Sequence, residues 1–154
     1  MQHRLDGFTI IELIIVVIII AVLASVAIPM AETTIKREKE LMLRRNLRTI
    51  RMALDEYKGF VEKNNIEMDE DRYGLPEKLE DLLNGIEYRD KKNNLRIKKF
   101  LRRIPLDPMT GSLDWGLRSY QDKSDSRRWG EENVWDVYTK SAGKALDDTY
   151  YKDW

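Results

Sequence analysis

An uninterrupted apolar run over residues 13–31 constrains this chain more than any other feature of its sequence. The run carries no formal charge and consists mostly of Ile, Val, Leu and Ala. At about 1.5 Å per residue it makes a helix of roughly 28 Å, which is long enough to cross the hydrocarbon core of a bilayer. The sequence therefore predicts a membrane-length helix that anchors the rest of the chain.

A secretory signal peptide is the alternative interpretation of this run. Such peptides have an apolar region of about 7 to 15 residues followed by a small-residue cleavage site. The run here is longer, and residues 29–32 make a poor cleavage site because they begin with Pro29 and end with Glu32. Residues 24–27, which read ASVA, keep the alternative open.

Glu12 places a single carboxylate at the mouth of the apolar run. A carboxylate within an apolar membrane helix costs on the order of 2 to 3 kcal/mol, so a plain anchor has no use for it. If the chain were cut between Gly7 and Phe8, the new α-amino group would lie about 6 Å along the helix axis from Glu12. Two neighbouring helices displaced by one turn would bring one chain's amine to the other's Glu12. We interpret the carboxylate as a device that fixes the register of an assembly.

Residues 7–13, which read GFTIIEL, resemble the processing motif of type IV pilins and type II secretion pseudopilins. The resemblance implies that prepilin peptidase cuts between Gly7 and Phe8 and N-methylates Phe8, and that Glu12 meets a neighbour's terminal amine. It also implies that Pro29 marks a site of local helix unwinding on assembly. The expected divisions are a cleaved leader over residues 1–7, a hydrophobic transmembrane and assembly helix over 8–31, and a periplasmic globular domain over 32–154.

Basic residues are placed unevenly around the apolar run. Only Arg4 precedes it, so the positive-inside rule alone predicts that the side after the run lies in the cytoplasm. The processing motif implies the reverse, and long domains are translocated largely regardless of their charge. We therefore expect a single-pass inner-membrane protein with its carboxyl-terminal domain in the periplasm, which then joins a periplasmic filament. The basic residues after the run are Lys36, Arg37, Lys39, Arg44, Arg45 and Arg48.

Composition excludes several kinds of function. The chain has 27 basic and 27 acidic residues, a balance that gives no electrostatic footprint for nucleic acid. It has no cysteine, and its one histidine, His3, lies in the expected leader. The processed chain therefore lacks the usual zinc ligands and the base of histidine-dependent hydrolases, so we predict that it is not an enzyme. Many type IV pilins close a carboxyl-terminal loop with a disulfide, so the missing cysteines favour pseudopilins.

Downstream, the pattern predicts an α+β domain. An apolar stripe with steps of three and four residues predicts an amphipathic helix that continues to about Asn64, and residues 74–85 predict a second, short helix. Residues 86–103 predict a small packed element, and residues 115–120 and 133–139 predict two antiparallel strands, with a third near Tyr150 and Tyr151. The expected fold is pilin-like, with the long helix packed on a small antiparallel sheet. The stripe consists of Leu43, Leu47, Ile50, Leu54, Tyr57 and Val61.

Two later segments resemble the major pseudopilin family, general secretion pathway protein G. Pro105, Asp107 and Pro108 match that family's proline-rich loop. The carboxyl-terminal stretch lies where the family holds a calcium ion, and the resemblance implies Asp147, Asp148 and Asp153 as oxygen ligands. The family's aspartate beside the glycine is replaced by Ala142 before Gly143. The alternative is a set of solvated turn acids beside an aromatic tail that packs.

The leading functional hypothesis is a structural subunit of the type II secretion pseudopilus, which drives protein export across the outer membrane. Its expected partners are copies of itself, minor pseudopilins, prepilin peptidase, the inner-membrane secretion platform and the membrane, with no nucleic acid. A type IV pilus or competence pilin is the alternative, since it shares everything through Pro29. A membrane-anchored enzyme or binding protein is a different class, and no nucleophile and base pair, phosphate-binding glycine loop or zinc constellation supports it.

Overall fold

The computed structural model describes residues 9–154, apart from the side chains of Val26 and Pro29. The chain forms two compact units, of which the first ends at Glu38 and the second is Lys39–Trp154. The helix α1 contributes residues to both units. In chain order the elements are α1 (Ile10–Asn64), a 3-10 helix (Glu70–Arg72), α2 (Asp81–Asn84), β1 (Ile86–Arg89), β2 (Leu95–Lys98), β3 (Gly116–Arg118), β4 (Asp136–Tyr138) and a second 3-10 helix (Tyr151–Asp153).

The core of the second unit lies along one face of α1. The predicted stripe is confirmed, since its six side chains are between 0 and 6 % exposed. Each such burial stabilises the fold by roughly 1.5 to 3 kcal/mol relative to an exposed side chain. The stripe packs in one cluster with residues from the rest of the unit, which include Leu79, Leu82, Ile86, Trp115, Val134, Val137, Ala145 and Tyr151.

The second helix is much shorter than the sequence predicts. The prediction of a helix over residues 74–85 is wrong in its extent, because α2 begins only at Asp81. Oδ2 of Asp81 accepts hydrogen bonds from the backbone N–H groups of Glu77 and Lys78, both at 3.0 Å, which stabilises a turn ahead of the helix. Gly85 caps the end of the helix with a φ of 84°, which only glycine adopts easily. A Cβ at this position would clash with the backbone of Lys98.

The basic segment forms a β-hairpin in which β1 pairs antiparallel with β2. Asp90 organises the turn, because its Oδ1 accepts the N–H groups of Lys92 at 2.8 Å and Asn94 at 2.9 Å. One side of the hairpin packs on α1, where the ring of Tyr88 contacts that of Phe60 with centroids 5.0 Å apart. The predicted packed element is therefore a second strand pair.

The strands β3 and β4 also pair antiparallel, which confirms the small carboxyl-terminal pair and the α+β arrangement. Both strands are shorter than predicted. Gly116 in β3 lies directly against the ring of Tyr138, where any Cβ would clash. The predicted third strand is wrong, since Tyr150 makes only an isolated bridge with Lys144 and the following residues form a 3-10 helix.

A buried carboxylate joins the proline-rich turn to Thr139, the residue that follows β4. Asp107 is fully buried, and its carboxylate accepts hydrogen bonds from the hydroxyl group of Thr139 and from the N–H of Met109 at 2.8 Å. The indole N–H of Trp115 donates to the carbonyl oxygen of Pro105 at 2.9 Å, so the other end of the turn is also held. The turn therefore joins the core through side chains as well as through backbone.

We expect Asp107→Ala to lower the free energy of unfolding by roughly 2 to 4 kcal/mol, because it removes the acceptor of the buried Thr139 hydroxyl and of the partly buried Met109 N–H. Asp114→Ala is the matched control, since it removes an exposed carboxylate that pairs with Lys140, and we expect it to cost less than about 1 kcal/mol. Urea unfolding of both variants in detergent, followed by tryptophan fluorescence, measures the difference. Equal losses would contradict this role of Asp107.

Candidate processing and assembly site

The amino-terminal end of α1 is capped by two side chains that hydrogen-bond to each other's backbone N–H groups. Thr9 lies just ahead of the helix, and its backbone N–H and its hydroxyl group donate to Oε2 of Glu12 at 2.9 and 2.8 Å. In return, the backbone N–H of Glu12 donates to the hydroxyl oxygen of Thr9 at 3.3 Å. This is a capping box, in which two side chains satisfy helix N–H groups that have no partner within the helix.

The capping box gives the Glu12 carboxylate a defined position. It holds the negative charge at the positive end of the helix dipole, immediately before the apolar residues begin. The role of Thr9 was not predicted, although the signal was present as a threonine followed three residues later by a glutamate ahead of an apolar run. Gly7 and Phe8, the predicted processing residues, lie outside the described residues.

The apolar part of α1 presents its side chains outward all round. Ile14, Val22 and Leu23 are 48, 61 and 66 % exposed. By length and composition α1 is a candidate membrane span. The backbone remains helical through Pro29, although proline has no N–H to donate to the carbonyl group of Ser25. Such an apolar surface needs lipid or other apolar helices around it.

The three predicted calcium ligands lie near the end of the chain, but they are not drawn around one point. Asp147 turns inward on its own loop, where its Oδ1 accepts the hydroxyl and N–H groups of Thr149 at 2.6 and 3.1 Å. Asp148 has a left-handed backbone with φ of 63°, and Asp153 lies in the 3-10 helix. Within residues 9–154 no group of three or more acidic, His or Cys side chains is arranged to hold a metal ion. The three carboxylates are therefore not gathered into one site in this arrangement.

The structure instead ties this segment to α1 through the hydrogen bonds of two charged side chains, Glu40 and Arg51. Oε1 of Glu40 accepts the phenol hydroxyl of Tyr151 and the backbone N–H of Leu146, both at 2.9 Å. Arg51 donates from Nη2 to the carbonyl oxygen of Trp154 at 2.8 Å and from Nε to Oδ1 of Asp136 at 2.7 Å. These contacts hold the segment without a disulfide, in a chain that has no cysteine.

The aromatic residues at the end of the chain pack against one another and against α1, which is the arrangement described by the alternative to a calcium site. Tyr151 is 4 % exposed, and its ring meets that of Trp154 edge to face with centroids 5.2 Å apart. The guanidinium group of Arg44 lies over the Trp154 ring, 4.1 Å from its centroid. The roles of Glu40, Arg44 and Arg51 were not predicted, because nothing local in the sequence indicates partners about a hundred residues away.

The comparison with protein families bears on the amino-terminal segment. Residues 4–28 match the prokaryotic N-terminal methylation motif. The motif is consistent with a pilin-like protein. It indicates a pilin-like precursor that prepilin peptidase processes, and together with the apolar helix it fits a membrane-anchored, single-pass protein. No curated protein sequence and no solved structure matches the chain. The match points to a structural subunit and covers the segment that contains Gly7, Phe8 and Glu12.

Burial and the nearby carboxylate of Glu40 raise the pKa of Tyr151 to about 12. The phenol must keep its proton to donate to Glu40, so the folded protein binds this proton more tightly than the unfolded chain does. The resulting stabilisation is complete below the ordinary tyrosine pKa of about 10. It is lost as the pH rises from there through about 12.

We expect the free energy of unfolding of the wild-type protein to fall between about pH 10 and pH 12 by roughly 2 to 3 kcal/mol more than that of Tyr151→Phe. The phenylalanine variant keeps the packed ring and lacks the titrating hydroxyl. Denaturant unfolding at a series of pH values measures the difference. Parallel curves for the two proteins would show that the hydroxyl of Tyr151 contributes nothing through Glu40.

Calcium binding stays a prediction of the sequence, and it has a direct test. Since Thr149 and Arg44 already lower the pKa of Asp147 and occupy its carboxylate, we expect millimolar calcium or a chelator to move the unfolding midpoint by less than about 1 °C. Differential scanning calorimetry in detergent gives the midpoint. A saturable rise with calcium that Asp147→Asn abolishes would show that the ion rearranges this loop into a site.

Proposed function

We propose that this protein is a structural subunit of the type II secretion pseudopilus. Prepilin peptidase cuts between Gly7 and Phe8 and methylates the new amino group of Phe8, and the processed chains polymerise into a periplasmic filament that drives protein export across the outer membrane. The observation that carries the proposal is a methylation motif over residues 4–28 whose carboxylate, Glu12, stands at the entrance of an exposed apolar helix.

The capping box suggests how a chain is held before assembly. In a single chain the Glu12 carboxylate has Thr9 as its hydrogen-bond partner. A helix that leaves the bilayer for a bundle of apolar helices loses its contact with polar headgroups, and an unpaired carboxylate there is strongly unfavourable. The terminal amine of a neighbouring chain supplies the missing positive charge. Only one axial displacement brings the two groups together, so the pair fixes the register of the subunits.

Two features of the second unit favour a pseudopilin. The chain has no cysteine, and Glu40 and Arg51 hold its carboxyl-terminal segment in the way a disulfide does in many pilins. The turn at Asp107, which resembles the major pseudopilin loop, is ordered by buried contacts. The partners proposed on this basis are copies of the chain, minor pseudopilins and the inner-membrane secretion platform.

A type IV pilus or competence pilin uses the same amino-terminal segment, and the site of its filament separates it from a pseudopilin. Deleting the gene of a pseudopilin stops the export of secreted proteins and leaves motility intact. Filaments that extend into the medium at natural expression levels, or twitching motility lost on deletion, would favour the pilus instead.

We expect Glu12→Ala to be inserted and cleaved normally, because the variant removes the cost of a carboxylate in the membrane. We expect its filament yield to fall by about tenfold or more, because the pairing with a neighbour's amine is lost. Glu12→Gln keeps the size of the side chain and removes only the charge, so we expect the same defect. Filaments sheared from cells that carry the assembly machinery measure the yield.

Glu32→Ala is the matched control, since it removes an exposed carboxylate just after the apolar run, and we expect normal filaments. Mass analysis of the mature protein should find an amino terminus at N-methylated Phe8 in all of these variants. Normal filaments from Glu12→Ala would refute the pairing, and an intact leader in cells with active prepilin peptidase would refute the processing.

A further inference from the structure

The outer side of the β1–β2 hairpin is an exposed face that carries apolar side chains, the carboxylate of Glu87 and several basic side chains. Residues directly opposite in an antiparallel pair point to the same side, and the register pairs Arg89 with Leu95 and Glu87 with Ile97. Leu95 and Ile97 are 61 and 57 % exposed. The other side carries Tyr88, which packs on α1. We call the outer side, together with the turn lysines Lys91 and Lys92, the hairpin face.

The positive charge around this face is largely unmatched. Two of the segment's cations have acidic partners, since Lys98 pairs with Glu56 at 2.7 Å and Arg96 with Asp90 at 3.4 Å. Among the residues that the structure describes, five exposed cations between Lys91 and Arg103 form no ion pair, so their charge is available to a partner. These are Lys91, Lys92, Lys99, Arg102 and Arg103.

A second exposed surface combines three aromatic rings with two acidic side chains. The rings of Tyr73 and Tyr120 lie 4.9 Å apart, and Trp135 meets Tyr120 edge to face at 6.1 Å. The three side chains are 45 to 51 % exposed. Glu70 and Asp71, which are exposed and form no ion pair within residues 9–154, lie in the 3-10 helix just before Tyr73. We call these five residues the aromatic patch.

The aromatic patch is held rigidly from below. Asn133 is fully buried, and its amide nitrogen donates to the carbonyl oxygen of Asp71 at 3.1 Å while its amide oxygen accepts the N–H of Tyr120 at 3.0 Å. Gln121 adds a second hydrogen bond to the carbonyl oxygen of Asp71 at 3.0 Å. The acidic and aromatic parts of the patch therefore form one preorganised surface, which loses little entropy when it binds.

The two surfaces lie on different sides of α1 within the second unit. The hairpin is attached through Glu56 and Phe60, which are four residues apart and share one side of the helix. The patch is near Lys58, whose ammonium group lies 5.9 Å from the Tyr120 ring centroid. Lys58 is two residues from each of the other two, and at about 100° per residue it projects from the opposite side. The two surfaces of one chain therefore cannot meet each other.

We propose that the hairpin face of one copy of this chain binds the aromatic patch of the next copy, an inference that rests on the proposed filament function. The basic side chains around Leu95 and Ile97 meet the acidic side chains of Glu70 and Asp71, and they also offer cations to the aromatic rings. The exposed aliphatic side chains cover the rings. Because the two surfaces differ, the contact is head-to-tail, and each added copy presents a free surface to the next, as a filament requires.

The test is an exchange of charge between the two surfaces in the full chain, expressed with the processing and assembly machinery. Lys91→Glu with Lys92→Glu reverses the hairpin face, and Glu70→Lys with Asp71→Lys reverses the patch. We expect each pair to lower the yield of sheared filaments by about tenfold or more, since like charges then face each other. Combining all four substitutions should restore the yield to within about threefold of the wild type.

Lys123→Glu with Lys144→Glu is the matched control, because both lysines are exposed and lie outside the two surfaces. It makes the same change in net charge as the hairpin reversal, and we expect wild-type yield. Near-ultraviolet circular dichroism of each purified variant verifies that it is folded. Normal yields from both reversals, or a folded four-fold variant that does not recover, would overturn the interface.

Cysteine cross-linking gives a second, independent readout, because the chain contains no cysteine of its own. We expect copies with Ile97→Cys to form disulfides with copies carrying Tyr73→Cys, and neither variant to cross-link with itself. Self-cross-linking of either variant, or no mixed product within wild-type-like filaments, would overturn the head-to-tail contact. If the charge-reversal variants form normal filaments and only Glu12→Ala fails to form them, the proposed function stands without this interface. If the wild-type protein forms no filament, both proposals are refuted.

Discussion

The carboxylate of Glu12 at the start of a membrane-length apolar helix is the constraint on which the rest of this protein depends. The helix leaves its apolar side chains exposed, so it needs lipid or other helices around it. Because of the charge of Glu12, the free energy of the helix differs between these two environments. Thr9 supplies two hydrogen bonds in the single chain, but it supplies no positive charge. The energetic preference for a cationic partner therefore remains, and in the proposed filament this preference makes association specific in axial position as well as favourable.

The second unit uses the same helix in a different way. Its apolar stripe provides the core, and polar side chains on its flanks reach the end of the chain. Glu40 accepts a hydrogen bond from Tyr151, and Arg51 donates one to Trp154. Asp136 forms ion pairs with both Arg51 and Arg118. These partly buried, hydrogen-bonded charges gain more from one another than exposed ion pairs do. A domain with a modest core and no disulfide therefore fixes its last segment through contacts with one rigid element.

The sequence predicts best what depends on near neighbours along the chain. The stripe from Leu43 to Val61 follows from helical periodicity, and Glu12 from one charge beside an apolar run. The extent of α2 could not be predicted, because the Asp81 side chain captures two N–H groups that the pattern assigns to a helix. The bond between Asp107 and Thr139 and the contacts of Glu40 join residues far apart in the chain, and periodicity carries no information about them. Thr9 belongs to the first kind, since its spacing from Glu12 is a local signal.

Asn133 fixes the backbone of the aromatic patch without contributing to the side chains that the patch exposes. Its buried amide fixes the backbone at Asp71 and Tyr120, while the side chains that solvent meets take no part in those two hydrogen bonds. Surface substitutions can then alter charge or ring size on an unchanged frame, whereas a change at Asn133 disturbs the whole surface from a position that no partner touches. In the proposed filament, this division lets the exposed surface change to suit a new neighbour without refolding, whereas the interior amide has to stay as it is.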